Sequence, residues 1–231
     1  MNFYQRVLKS NFVWRLSGLS WYTAVKATRG HYLSKVDYLK ESAEKTSALN
    51  LPLPAKKVME FGSGLGGNLI SIAKSIKLGI GVDINPLFVH GAKRLSRKFN
   101  CNNLTFLSYD GSNFPSLPKF DLIFSVNVFE RIKKDVVRDL IPKIVSLGSE
   151  DCIFVIFFLN ENAKETEFTK LLGNDAYVYW SHDELLGLFS KYDMNVEISE
   201  WGMYEQNAYI VRATLLKRSN QRVGKRISIS N

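Results

Sequence analysis

The chain has 231 residues, 45% of them hydrophobic, and a formal net charge of +9. That length suits one α/β domain with an added terminal segment rather than two full domains. The longest apolar run, residues 152–159, is too short to span a bilayer. The basic N-terminus leads into no apolar stretch with a cleavage site, so the expected location is the cytoplasm. Cys101 and Cys152 match no metal or redox spacing and are expected to be reduced thiols, Cys152 as a buried small hydrophobe.

The charge is uneven. Residues 1–50 carry eight Lys/Arg against three Asp/Glu, and residues 217–231 carry five against none. Residues 51–216 carry 18 against 19. Two basic ends flanking a near-neutral centre attract nucleic acid or another anionic surface, or simply keep the chain soluble.

Residues 1–50 read as helical, broken near Gly18 and Gly30. They interleave Phe3, Tyr4, Phe12, Trp14, Trp21, Tyr22, Tyr32 and Tyr38 with basic residues, and the aromatics are expected to dock the segment onto the domain. Residues 57–61 read as a buried strand, followed by a glycine cluster and a helix over 68–76. A second strand spans 79–83, and Pro86 opens a helix that runs to about residue 99. Strands follow at 104–107 and 120–125, a helix at 135–147, and a wholly apolar strand at 152–158. Ser181-His182-Asp183-Glu184 forms a capping box before the apolar run 185–189. Two late strands, 194–199 and 208–215, are joined by a connection too short for a parallel crossover. The expected fold is α/β: a seven-stranded, mostly parallel, doubly wound sheet with one antiparallel strand near its edge and an N-terminal helical segment. The boundaries are 1–50 for the N-terminal cap, 51–216 for the main domain and 217–231 for a basic, flexible tail.

Glu60-Phe61-Gly62-Ser63-Gly64-Leu65-Gly66-Gly67 lies between the first strand and its helix. Glycines let the backbone turn sharply and let a ligand sit against it, and the helix start offers unpaired N–H groups. Gly62, Gly64 and Gly67 fit the dinucleotide pattern G-x-G-x-x-G. Gly62, Gly64 and Gly66 with Glu60 fit E/D-x-G-x-G-x-G. Glu60 discriminates between the two: a carboxylate repels a pyrophosphate and attracts a cationic group. Asp83, at the tip of the second strand, suits the two hydroxyls of a ribose or, alternatively, the cap of the next helix. Tyr109-Asp110-Gly111 follows the third strand; by itself Asp-Gly is a plain turn.

This series closely resembles the class I, Rossmann-like, S-adenosylmethionine-dependent methyltransferases over roughly residues 55–216. The resemblance implies that Asp110 binds the adenine amino group and that Val126 and Asn127 line the methionine end of the cofactor. The cofactor-binding set it implies is Glu60, Phe61, Gly62, Ser63, Gly64, Gly66, Asn68, Asp83, Ile84, Asp110, Gly111, Val126 and Asn127. Arg131 stands where many relatives have histidine, and a surface ion pair is its expected role. No single catalytic base is assigned. His182, Glu130 and His31 are candidates, each with a plainer reading as a surface, capping or salt-bridging residue; His90 is expected to be structural. No compact acid or histidine set suggests a metal. The sequence lacks the Pro-Pro-Tyr signature of base-amino and glutamine methyltransferases and the Pro-Cys of cytosine C5 enzymes. The expected reaction is therefore methyl transfer to O or N of a small molecule. The alternatives are RNA or protein reached through the basic ends, and a non-catalytic partner subunit. A nicotinamide oxidoreductase is disfavoured by Glu60. Oligomeric state is left open.

Overall fold

The structure, a computed structural model, describes residues 35–109, 116–163, 177–203 and 206–216. Most of the 1–50 segment with His31, the Asp110-Gly111 pair and the 217–231 tail lie outside the described residues. Eight strands form one sheet: β1 (Ala55–Phe61), β2 (Ile76–Asp83), β3 (Leu104–Ser108), β4 (Phe120–Ser125), β5 (Gly148–Asn160), β6 (Tyr179–Trp180), β7 (Met194–Met203) and β8 (Gln206–Leu215). The described helices are α1 (Lys35–Ala48), α2 (Gly67–Ile72), α3 (Pro86–Lys98), α4 (Lys134–Val145) and α5 (His182–Phe189).

The strand order is β3-β2-β1-β4-β5-β8-β7, with β6 paired to β5. The pairings from β3 through β5 are parallel, and β8 is antiparallel to both β5 and β7. The chain winds outward from β1 to β3, then returns to place β4 on the other side of β1. That reversal opens a crevice at the C-terminal ends of β1 and β4, where open α/β sheets bind ligands. Alternation along the strands sends neighbouring side chains to opposite layers. Val58, Phe124 and Phe157 join Leu69 of α2 and Val89 of α3 in one layer. Met59, Ile123 and Phe158 join Val137 of α4 and Leu185 of α5 in the other.

Four details differ from the sequence reading. The sheet has an eighth strand, β6, two residues long, formed where Tyr179 and Trp180 pair with Leu159 and Asn160. The helix after β1 ends at Ile72 and continues as a 3-10 turn, Ala73–Ser75, so β2 starts at Ile76. The parallel ladder to β1, beginning at Ala55 opposite Ile76, claims those residues. Strand β5 starts at Gly148, across a register shift beside Asp151, whose φ is 64°. The β7–β8 hairpin is tighter than expected, with Met203 paired to Gln206. No helix among the described residues is long and apolar enough to cross a membrane.

Candidate active site

The loop after β1 folds back over the end of β2: the N–H groups of Gly62 and Ser63 both donate to the Val82 carbonyl, at 2.8 and 3.0 Å. Gly62, Gly64 and Gly66 have φ of 75, 51 and 78°, a region costly to residues with a Cβ. Two of the three are also closely packed. A Cβ at Gly62 would lie 2.1 Å from Val128, and one at Gly66 would lie 2.6 Å from Phe106. Gly64 is different: a Cβ there would meet nothing within 4 Å. Its face is open to the crevice.

Four residues of the implied cofactor set meet as two pairs, Glu60 with Asn68 and Asp83 with Gly64. Glu60 is 1% exposed, and its Oε1 accepts from Asn68 Nδ2 at 2.7 Å. Its Oε2 has no hydrogen-bond partner among the described residues. Burial raises the Glu60 pKa to about 8, against the bond from Asn68 and with help from the nearby Asp83. Asp83 accepts from the N–H of Gly64 through Oδ2 and from that of Asn85 through Oδ1, both at 2.8 Å. Burial raises the Asp83 pKa too, and those two bonds oppose the rise. Helix α3 is capped by Asn85, whose side chain accepts from the Leu87 N–H. Asp83 is therefore not that helix's cap.

The other positions divide. The Ser63 hydroxyl is buried without a partner among the described residues. The Phe61 side chain turns to the opposite layer and stacks on Phe129 at 5.6 Å, while its carbonyl accepts from Ser125 Oγ. It is a core residue, and only its backbone borders the crevice. Ile84 is 37% exposed. Val126 is buried, and Asn127 is exposed with φ of 56°, a strained turn where the chain leaves β4.

Beyond that turn, Glu130 is 3% exposed within the 3-10 turn Phe129–Arg131. Burial raises its pKa to about 7, opposed mainly by Arg131, whose Nε lies 3.7 Å from Oε1. Oε2 has no partner among the described residues. Arg131 is more than a surface ion pair, because its guanidinium also donates to the Tyr177 hydroxyl at 2.8 Å. The Val178 N–H donates to the Glu130 carbonyl at 2.7 Å, so the segment leading into β6 is tied over the end of β4. His182 is the first residue of α5, half exposed, with its ring 6.1 Å from that of Tyr209; Ser181 and Glu184 complete the capping box. His90 is exposed on α3.

The sequence reading missed the individual roles of Tyr38 and Tyr177. The Tyr38 hydroxyl accepts from the Gly67 N–H at 3.2 Å, at the start of α2, and burial beside Glu60 raises its pKa to about 12. Tyr38 thereby pins α1 beside the buried carboxylate. Thr46 of α1 also shares a 3.0 Å hydroxyl contact with Ser71 of α2, and the Arg212 guanidinium donates to the Leu49 carbonyl. Tyr38 was visible only as one of many N-terminal aromatics. Tyr177 carried no sequence signal.

Residues 58–149 match a family model described as a methyltransferase domain. Residues 58–149 of this chain thus form a methyltransferase domain. The matched span runs from within β1 through β4 and includes the glycine loop, Glu60, Asp83 and Glu130. A sequence search of curated proteins finds no significant match. Among solved structures, the chain is similar to the YcgJ protein of Bacillus subtilis, with 13% identity and a TM-score of 0.62, over 77% of this chain and 99% of that one. It is also similar to magnesium protoporphyrin IX methyltransferase of Synechocystis PCC 6803 with bound S-adenosylhomocysteine, with 16% identity and a TM-score of 0.61, over 78% and 84% of the two chains. A third is the N-methyltransferase NodS of Bradyrhizobium japonicum WM9, with 14% identity and a TM-score of 0.58, over 78% and 97%. At these identities the structural likeness establishes the fold.

The residues present fit an adenosyl cofactor with a cationic amino-acid end. The open face of Gly64 admits a ligand against the backbone. Each Asp83 oxygen, having accepted one N–H, keeps a lone pair for a hydroxyl. The unpartnered Oε2 of Glu60 suits an ammonium group.

Proposed function

We propose that this methyltransferase moves a methyl group from S-adenosylmethionine to an O or N atom of a small molecule. The observation that carries the reading is the walling of the crevice from both sides. Tyr38 fastens α1 over the start of α2, and Val178 with Tyr177 fastens the β6 segment over the end of β4. A crevice bounded in this way favours a compact acceptor and helps exclude water. Two similar structures, a magnesium protoporphyrin IX methyltransferase and an N-methyltransferase, support the same direction.

In this reading Glu60 and Asn68 hold the amino-acid end of the cofactor, Asp83 the ribose, and Ile84 with Asp110 and Gly111 the adenine. Val126 and Asn127 border the reacting methyl. The bound cofactor supplies an activated methyl group, so the protein's task is to align the acceptor's lone pair with it. Glu130 lies beside the end of β4 with its pKa raised to about 7 by burial, suited to accept a proton from a hydroxyl or ammonium acceptor.

The test is transfer of labelled methyl from the cofactor into pooled small metabolites, RNA and protein, assayed side by side. Label in the metabolite pool supports the reading. Label only in RNA or protein overturns the acceptor class. Binding of S-adenosylhomocysteine with no transfer to any pool points to a non-catalytic partner subunit.

A further inference from the structure

The near-zero charge of residues 51–216 conceals a separation that the topology turns into a surface. Residues 51–119 carry nine Lys/Arg against three Asp/Glu, and residues 120–216 carry nine against 16. The first stretch builds β1, β2, β3, α2 and α3, one half of the sheet; the second builds the other half.

Six cations gather at one corner of the basic half. Lys74 and Lys77 flank the start of β2, and Lys93, Arg94, Arg97 and Lys98 occupy the C-terminal half of α3, all exposed. Helix α3 runs antiparallel to the strands it covers, so its end and the start of β2 share the sheet edge opposite the active crevice. None of the six makes an ion pair among the described residues. The only acids between Gly62 and Lys119 are Asp83, in the active crevice, and Asp110. Asp121, which accepts from the Lys57 N–H, marks the limit of the corner at the β1–β4 boundary. Between α3 and β3 lies a cleft of about 310 Å³, lined by Lys93, Ser96, Arg97, Leu104, Thr105 and Phe106, which sets two cations beside the hydroxyl of Thr105.

We infer that this corner, formed by α3 and the start of β2, docks the phosphodiester backbone of a nucleic acid and tethers the enzyme there, away from the active crevice. Cations with no acid to neutralise them among the described residues release counterions from a polyphosphate, and the exposed Thr105 offers a hydroxyl donor of the kind that positions phosphates. An anionic membrane is the weaker fit, because stable surface binding needs buried apolar area as well as charge. At this corner Phe99 is the one large apolar side chain among the strongly exposed ones of the described residues, at 37%. The acidic half of the sheet repels the same polyanion and so sets the orientation of docking. The inference does not depend on which molecule accepts the methyl group.

The experiment titrates the full-length protein against a fluorescein-labelled oligouridylate RNA between about 50 and about 200 mM salt, and in parallel against phosphatidylserine vesicles. The expected result is salt-sensitive RNA binding. In the variant Lys93→Ala/Arg94→Ala/Arg97→Ala/Lys98→Ala, the log–log salt slope should become shallower by about 3. The control Arg138→Ala/Lys143→Ala, on α4, should retain the native slope. Circular dichroism checks folding, and the pair Lys93→Ala/Arg97→Ala, with about half the effect on the slope, substitutes if the fourfold variant misfolds. Absence of RNA binding, an unchanged slope in the α3 variant, an equal loss in the control, or binding to vesicles alone would each overturn the inference.

Discussion

Replacing Glu60 with glutamine tests the chemistry of the crevice most directly. In the ligand-free protein the pKa of this carboxyl is raised to about 8 by burial, so the group is mostly protonated at neutral pH. A cationic amino group beside Oε2 favours the ionised form, and an opposite charge at close range lowers a carboxyl pKa by about 1–3 units. Cofactor binding is therefore expected to release a proton. Between pH 6 and 7.5, affinity should rise with pH, a gain of about 3-fold for a one-unit drop and about 20-fold for a three-unit drop, or about 0.6 to 1.8 kcal/mol. Calorimetry with S-adenosylhomocysteine in buffers of different ionisation enthalpy measures both the affinity and the proton release. In Glu60→Gln, which keeps an oxygen to accept from Asn68, the slope and the release should both vanish and affinity near pH 7.5 should drop. Glu130, with a pKa near 7, titrates in the same window, so Glu130→Gln serves as a control that should keep the slope. A flat native profile with no proton release would refute the reasoning.

The same carboxyl predicts a stability profile. Its folded pKa lies above its unfolded value of about 4.5, so its contribution is complete below that pH and is lost as pH rises toward 8. Between pH 6 and 8 the loss is about 2 kcal/mol, read as a falling unfolding free energy in urea that Glu60→Gln flattens. Asp83→Ala should weaken cofactor binding strongly, because it removes the ribose acceptor and frees the Gly64 N–H; unchanged affinity by calorimetry would dismiss the ribose assignment. Gly67→Ala should destabilise the fold by about 1–3 kcal/mol, since its Cβ would lie 2.2 Å from Ser42 Oγ and 2.7 Å from Tyr38, and thermal melting reads this directly. Glu130→Gln should lower the methyl-transfer rate at pH 7 while leaving S-adenosylhomocysteine affinity within about twofold, if the proton of the acceptor passes to this carboxyl.

The sequence alone determined the order of strands and helices, the α5 capping box and the glycine loop, because each depends on neighbours along the chain. Period, turn residues and caps are local physics. The Glu60 signal was local too: an acid two residues before a glycine turn. What the structure decided were contacts between distant segments. The β1 ladder drew Ile76 into β2, and pairing with Leu159 and Asn160 made a strand of Tyr179 and Trp180. Phe61, adjacent to the loop in sequence, turned into the core because side chains alternate along a strand. Tyr38 reached Gly67 across 29 positions, and Arg131 reached Tyr177 across 46. The charge separation, already present in the sequence, became a surface only when the sheet order set residues 51–119 beside one another. Burial and partnership belong to the packed chain, since the free energy of a carboxyl depends on what replaces the water around it, and no stretch of sequence carries that information.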